Sequence, residues 1–391
     1  MPSSRTTSGG SIRLAARLLL PALILTLAAA CTSGGAATGG VSRAPAPATA
    51  ALEATLDAQV PALLARYGVA SVGMALIEDG RVVLERAYGE QSAGVPATVG
   101  TLYGLASVTK PVSAETLLRL AAAGRLSLDE PVASAWVDPD VAGDPRAQML
   151  TVRHALAHQT GLPNWRGRSP GGKLAFAFTP GTAYAYAGEG YDYAAHFAER
   201  KLGRNFEELA QEMVFGPLGM RSTSYSRRGW MTGRLAVPLD SAGRWGEPQV
   251  EDSSHWNAGN NLITTAGDYA RFVVSVMRGE GLTPALAAER LRPARGPQMN
   301  GRCRAAPAAC PRAISQALGW VRLDYAAGPV FLHTGLNGRP GGERTVAYFE
   351  PARRRGVVVL TSGSNGVRLY ADVAALLDPE APIVAYLAAA E

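Results

Sequence analysis

The sequence predicts an α/β (α+β) fold in which an antiparallel sheet is built from both ends of the chain and a helical lobe is inserted between them. Three observations carry this. A hairpin pattern lies near the start, strand-like runs return near the end, and the middle alternates helical stretches with long loops rich in Gly, Pro and aromatic residues. Strands from distant stretches bury their apolar faces by joining one sheet and covering it with helices. At 391 residues the chain has room for one large domain or two modest ones. Its 47% hydrophobic and 18% charged residues are an ordinary globular composition.

Taken in order, residues 1–30 read as an export signal. Arg5, Arg13 and Arg17 precede the apolar run Leu18–Leu27, and Ala28-Ala-Ala-Cys31 follows. That is a basic region, a short apolar region and a small-residue cleavage site. The run falls short of the ~20 residues that span a membrane. The small residues before Cys31 and Thr32-Ser-Gly-Gly after it resemble a bacterial lipoprotein processing site, which implies a lipid anchor to the membrane and a periplasmic or cell-envelope location. That pattern prefers a large aliphatic residue where Ala28 stands, so ordinary cleavage near Cys31 stays open as the alternative. Residues 31–50 are rich in Gly, Ala, Thr, Ser and Pro and read as a flexible tether. Without the signal the formal charge falls from +6 to +3 and is scattered. No nucleic-acid partner is expected from such a surface.

Residues 51–391 form the folded domain. Leu52, Leu56, Val60, Leu63 and Leu64 recur at helical spacing over 51–66. Two strand-like runs, 71–78 and 81–88, are joined by Asp79-Gly80, a strong hairpin signal. A helix is predicted over 107–123, closed by Gly124. Strands are predicted over 317–324, 330–334, 344–349 and 356–361, with a last helix over 367–389. Cys303 and Cys310 close a short, loop-like ring, and export to an oxidising compartment predicts a disulfide between them. Metal ligation is the rival there, and no further Cys or His lies nearby. No metal and no cofactor are expected.

Three segments carry candidate chemistry. In Ser107-Val-Thr-Lys110 a serine and a lysine three residues apart share one helix face. A desolvated lysine can lose its proton and activate the serine hydroxyl. Of the 38 basic residues only Lys110, Lys173 and Lys201 are lysine. An amine can act as a base near neutral pH and a guanidinium cannot, so lysine at 110 is informative. In Pro180-Gly-Thr-Ala-Tyr-Ala-Tyr186-Ala-Gly188, a tyrosine held between cations would have a lowered pKa and could shuttle protons. In Phe331-Leu-His333-Thr334-Gly335 a strand ends in a polar pair and a glycine that would let a substrate approach the backbone. Two decoys are set aside. Gly167-Arg-Ser169-Pro-Gly171 matches a hydrolase nucleophile elbow, but Pro170 lacks the N–H that the elbow needs. His154 and His158 have zinc-protease spacing, but Ala155 stands where the catalytic Glu should be.

These segments, in this order, resemble the β-lactamase-related serine hydrolases: class C β-lactamases, D-alanyl-D-alanine carboxypeptidases and related esterases. The likeness runs from about residue 52 to 375. It includes Leu126-Ser-Leu-Asp-Glu-Pro-Val132, His154-Ala-Leu-Ala-His-Gln-Thr-Gly-Leu-Pro163, Phe215-Gly-Pro-Leu-Gly-Met220 and Leu318-Gly-Trp320. The resemblance implies Ser107 as the acylated nucleophile, with Lys110 and Tyr186 as its base pair. It implies an oxyanion hole from the backbone N–H groups of Ser107 and Leu336, and a small ester, amide or peptide (β-lactam or D-amino-acid peptide included) as substrate. Two positions depart from the family pattern. Gly188 replaces an Asn, which predicts a roomier pocket without an amide-binding side chain. His333 replaces a Lys, which predicts a poor anchor for a carboxylate, improving as pH falls through the His333 pKa. Short esters or neutral amides are therefore the expected substrates. A cell-wall D-alanyl-D-alanine carboxypeptidase and a catalytically inactive penicillin-binding sensor lipoprotein stay open as alternatives.

Overall fold

The computed structural model describes residues 47–248, 250–252, 257–297, 307–337 and 342–389. The export-signal reading, Cys31 and Cys303 lie outside the described residues. Helix α1 (Pro47–Tyr67) begins four residues inside the stretch read as tether. Strands β1 (Ser71–Glu78) and β2 (Arg81–Ser92) follow as a hairpin. At its tip Asp79 and Gly80 have φ of 49° and 67°, the doubly left-handed turn that Asp-Gly adopts at low cost.

After the short strands β3 (Val95–Pro96) and β4 (Tyr103–Gly104), the inserted lobe begins. It holds α2 (Lys110–Ala122), α3 (Val152–Leu156), α4 (Gly188–Leu202), α5 (Phe206–Ala210), β5 (Ile263–Thr264), α6 (Ala266–Arg278) and α7 (Pro284–Arg290). The chain returns to strands in β6 (Ala313–Gln316), β7 (Val321–Tyr325), β8 (Gly328–Leu336), β9 (Arg344–Glu350) and β10 (Arg355–Thr361). It closes with α8 (Gly366–Leu377) and α9 (Ile383–Ala388).

Among the described residues eight strands form one antiparallel sheet, in the order β3-β2-β1-β10-β9-β8-β7-β6. The two ends of the chain meet where Val72 pairs with Thr361 and Ile77 with Gly356. Alternation along the strands separates two apolar faces. Val72, Met74, Val346, Val357 and Val359 pack against Leu56 and Val60 of α1 and Leu369 and Val373 of α8. On the other face Ile77, Phe331, Phe349 and Leu360 join the lobe, where Val112, Leu117, Phe197, Phe272 and Trp320 are buried.

Three boundaries differ from expectation. The run 317–324 is not one strand: residues 317–320 form the turn between β6 and β7, and the strand starts only at Val321. In that turn Gly319 has φ of +88°, and a Cβ there would lie 2.5 Å from Ala114 Cβ of α2, so only glycine lets this turn sit on that helix. The last helix is split, because Pro379 and Pro382 cannot continue the hydrogen-bond ladder. The helix expected at 107 opens with a 3-10 turn, Ala106–Thr109, before α2 proper. Inside the lobe, α2 is tied down by buried Glu115, which accepts hydrogen bonds from Arg119 at 3.2 Å and Arg290 at 2.8 Å.

Candidate active site

The turn that carries Ser107 is built by strain and by close approach. Ala106 has φ of 47°, uncommon for a residue with a side chain, and sits immediately before Ser107. Leu105 N–H donates to the Leu262 carbonyl at 2.9 Å, Thr345 Oγ1 donates to the Leu105 carbonyl at 2.7 Å, and Tyr269 donates to the Val108 carbonyl at 2.9 Å. A Cβ on Gly335 would lie 2.2 Å from both the Leu105 oxygen and Thr345 Oγ1. Gly335 therefore exists to admit the Ser107 turn against β8. The expectation that it admits a substrate is corrected: the backbone that approaches it is the chain's own.

Lys110 is fully buried, whereas Ser107 is half-buried at the surface of the cleft. Lys110 Nζ lies 3.1 Å from Ser107 Oγ and donates to the Gly259 carbonyl at 2.7 Å. It rests 4.8 Å from the centre of the Tyr186 ring, 5.3 Å from that of Trp165 and 5.7 Å from that of Tyr191. Burial pushes the ammonium down to about 7, against a smaller upward pull from Asp192. A large fraction of Lys110 is thus a neutral amine at neutral pH, as a base beside a serine requires.

Tyr186 does not sit between cations. Lys110 lies over its ring face, and the other neighbour, His333, is neutral: burial first, and then the Lys110 charge, push that imidazole down to about 3. Burial raises the Tyr186 phenol, and the Ser107 hydroxyl beside it offsets this in part. Tyr186 therefore keeps its proton at neutral pH, and the lowered pKa expected from the sequence is corrected to a raised one. Its ring is backed by His158, with centroids 4.3 Å apart. His158 Nδ1 accepts from Ala187 N–H at 3.1 Å, and the ring is buried and neutral.

His333 Nδ1 lies 3.0 Å from the Thr334 carbonyl. A carbonyl only accepts, so Nδ1 carries the proton and Nε2 presents a lone pair. Nε2 has no hydrogen-bond partner among the described residues. With a pKa near 3, His333 does not titrate where Lys110 works, so the expected gain on anions as pH falls through the His333 pKa is withdrawn.

Gly188 brings the largest correction. A Cβ there would lie 2.4 Å from Trp165 Cη2 and 2.8 Å from the Asn164 carbonyl. The space that an asparagine side chain would occupy is filled by Trp165, so the pocket is not roomier. Asn164 Oδ1 accepts from Gly188 N–H at 3.0 Å and fixes the exchange. Gly188→Asn is expected to overpack this contact and cost about 1–3 kcal/mol. Thermal melting should show a lower Tm, and Trp165→Ala should cost less stability in the Gly188→Asn background than in wild type, because it relieves the ring contact but not the Asn164 carbonyl contact. An unchanged Tm in Gly188→Asn would refute the packing argument.

Ladder geometry leaves a backbone N–H free to receive an oxyanion. Asn337 N–H donates to the Glu343 carbonyl at 3.1 Å, so alternate residues of β8 bond to β9, and Thr334 and Leu336 aim their N–H groups the other way. On that side β7 reaches only to Leu332, opposite Val321, which leaves the Leu336 N–H on an open edge. Leu336 is 56% exposed. Ser107 is second in its 3-10 turn, where backbone N–H groups lack internal partners. A cleft of about 490 Å³ is lined by Ser107, Tyr186, His333, Thr334 and Leu336, together with Asn164, Trp165 and Arg168. Ser169 caps a separate 3-10 turn, Pro170–Gly172, His154 packs beside Gly181, and His158 lies under Tyr186.

The Beta-lactamase family model matches residues 56–379. The chain belongs to the β-lactamase family. Among curated relatives it is 30% identical to Esterase EstB of Burkholderia gladioli over 45% of this chain and 52% of that protein. It is 28% identical to a D-aminopeptidase of Gluconobacter oxydans over 43% of this chain and 34% of that protein. The matched stretch thus spans about half or less of these relatives' length. Among solved structures, D-alanine carboxypeptidase AmpC from Burkholderia cenocepacia superposes with a TM-score of 0.67 at 21% identity, over 85% of this chain and all of that one. A class C beta-lactamase gives 0.67 at 18% identity, over 84% of this chain and 96% of that one. These confirm the β-lactamase/transpeptidase-like fold. Within this family frame, Ser107, Lys110, Tyr186 and His333 converge as the sequence implied. Asn164, Trp165, Asp192 and Gly259 were missed. Asn164 and Trp165 directly follow the Gly161-Leu-Pro163 signature and could have been flagged by it, whereas Gly259 acts through a carbonyl, which no side chain announces.

Proposed function

We propose that this chain is a serine hydrolase that forms an acyl-enzyme with esters or amides. The observation that carries the reading is a buried lysine, poised near neutrality, 3.1 Å from a serine hydroxyl on an open cleft. Neutral Lys110 takes the Ser107 proton as Oγ attacks the carbonyl carbon, and the Ser107 and Leu336 N–H groups receive the developing oxyanion. Collapse breaks the bond to the leaving group, which takes a proton from Tyr186; the phenol is resupplied from Lys110. Water then repeats the sequence on the acyl-enzyme. Relatives named esterase and D-aminopeptidase support both substrate classes. A fluorophosphonate probe should give one adduct, on Ser107, absent in Ser107→Ala. An adduct on Ser169, or none, would overturn the reading, and none would favour the inactive sensor.

A second reading, a D-alanyl-D-alanine carboxypeptidase-like enzyme acting on peptides that end in a carboxylate, is favoured by Arg168. Its neighbour Arg166 is paired with Asp138, Asp140 and Glu189, which braces the loop. Arg168 lines the cleft, and its guanidinium has no ion pair among the described residues. Arg168→Ala should lower kcat/KM for a D-alanyl-D-alanine peptide about tenfold, the scale of one charge-assisted contact, while p-nitrophenyl acetate hydrolysis holds. Equal effects on both would exclude this reading.

The location we propose is the periplasm or cell envelope, with a lipid on Cys31 and a Cys303–Cys310 disulfide; the signal-like start and the cysteine spacing support it. Labelled palmitate should enter wild type and not Cys31→Ala. Non-reducing peptide mapping should recover the Cys303–Cys310 pair, and free thiols at both would refute it.

A further inference from the structure

A lysine side chain is a flexible four-carbon stem, so a buried amine makes a precise base only if something fixes its head. A neutral amine has two N–H groups and one lone pair. Here the Gly259 carbonyl takes one N–H at 2.7 Å, which sets rotation about the Cε–Nζ bond and leaves the lone pair for Ser107. The rest of the surround is aromatic faces, which do not impose that rotation. The position of one carbonyl therefore decides whether the base is aimed.

That carbonyl belongs to a turn with no regular secondary structure of its own. What holds the turn is Asp192, on the second turn of α4. Asp192 Oδ1 accepts from Ala258 N–H at 2.7 Å, and its Oδ2 accepts from Asn257 Nδ2. Asn257 Oδ1 in turn accepts from Gly259 N–H at 2.8 Å. On the far side Ser113, one turn along α2 from Lys110, donates to the Ala258 carbonyl at 2.5 Å. Within the turn the Asn257 carbonyl accepts from the Asn260 and Asn261 N–H groups at 3.3 and 3.1 Å. Among the described residues the side-chain anchors of 257–259 from outside it come from α4 and α2, and the peptide that meets Lys110 hangs between them.

We propose that Asp192 is a positioning residue for the general base: it fixes the 257–259 turn so that the Gly259 carbonyl aims Lys110 Nζ at Ser107. Asp192 touches neither Ser107 nor the cleft; it acts through Asn257, Ala258 and Gly259. It also biases the base electrostatically, because its charge favours protonated Lys110. The other titratable groups facing Lys110 are His333 from β8, His158 from the turn after α3, the Tyr186 phenol and the Tyr191 phenol of α4. Asp192 itself is faced by Glu189 and His196 of its own helix, and by Lys110. Both histidines that face Lys110 are held neutral, so Asp192, whose own carboxyl burial pushes up to about 7, is the group that opposes the cost of burying that charge, and it does so in its ionised form.

The inference rests on the acyl-enzyme reading, and a reciprocal exchange tests it separately. In Asp192→Asn the new Nδ2 meets the Asn257 Nδ2, donor against donor. In Asn257→Asp two carboxylates meet. In the double exchange Asp192→Asn/Asn257→Asp the bond is restored with its direction reversed and the net charge unchanged, while Ala258 and Gly259 keep their acceptors. Wild type must first show Ser107 labelling and p-nitrophenyl acetate turnover; its failure there would indict the acyl-enzyme reading alone. Each single variant should then lose up to about 100-fold in kcat per labelled site, the scale of a misplaced catalytic group, with KM little changed. Asp192→Asn should also move the acid limb of kcat/KM to lower pH, which a merely structural residue would not do. The double exchange should recover kcat to within a few-fold. If Asp192→Asn does not fold, Asn257→Ala, which keeps the Ala258 contact, should show a smaller loss of the same kind. Wild-type kcat and acid limb in the single variants, or a folded double variant with no recovery, would overturn the proposal.

Discussion

Lys110→Arg is expected to lower kcat by about 100- to 10,000-fold, the range supplied by a general base. The substitution fixes a permanent cation at the site and removes the ability to take up a proton, because a guanidinium stays charged at any working pH. It also separates two roles that a deletion would merge. If Lys110 acted by its charge alone, Arg would retain most of the rate. A tenth or more of wild-type kcat in Lys110→Arg would therefore refute the base assignment. The wild-type pH profile is a second check on the same group. Burial disfavours the charged ammonium, so its pKa falls from 10.5 to about 7. The active form is the neutral amine, so kcat/KM should rise with pH, about tenfold per unit below 7, and level off above it. A profile still climbing past pH 9 would place Lys110 in a solvated site and contradict its burial.

His333→Lys is expected to shift the ratio of kcat/KM for nitrocefin to that for p-nitrophenyl acetate by about 10- to 100-fold towards nitrocefin. A charged hydrogen bond contributes about 1.5–3 kcal/mol, and about 1.4 kcal/mol is one decade. The argument rests on the neutrality of His333. Its imidazole is buried beside the Lys110 amine, and protonating it would put a second positive charge into the same dry site. Wild type should therefore hydrolyse p-nitrophenyl acetate faster than nitrocefin, with no reversal of that order on acidification to pH 5. Lysine at 333 brings an amine of much higher intrinsic pKa than imidazole, on a longer reach into the cleft. It should also push the Lys110 pKa lower, because like charges disfavour each other, so the acid limb for neutral esters should move to lower pH. A substrate ratio unchanged by the substitution would refute the role given to His333.

The reach of the sequence and its limits can be seen residue by residue. The hairpin at Asp79-Gly80 was legible because a doubly left-handed turn admits few residue pairs. The terminal strands were legible as short apolar runs, and their meeting in one sheet followed from the need to cover two apolar faces. The turn at Gly319 was not legible, since the residues on either side read as one continuous apolar run and only the approach of Ala114 requires the break. The split of the last helix could have been read from Pro379 and Pro382 and was not.

For the site, the sequence by itself determined which groups could react. Ser107 and Lys110 are three residues apart at a helix start, and local geometry alone makes them neighbours; Tyr186 and His333 stand in motifs whose order along the chain matches the family. What only the tertiary structure decided was the state of each group. Whether Tyr186 is a phenol or a phenolate, whether His333 titrates, and whether Gly188 leaves a void depend on what lies across space: burial around both rings, the Lys110 charge beside His333, and Trp165 in the gap. Protonation and packing are set by desolvation and by contacts within a few ångströms, and those contacts come from segments far apart in the chain. The identity of a reactive side chain is written locally, but its charge and its aim belong to the fold.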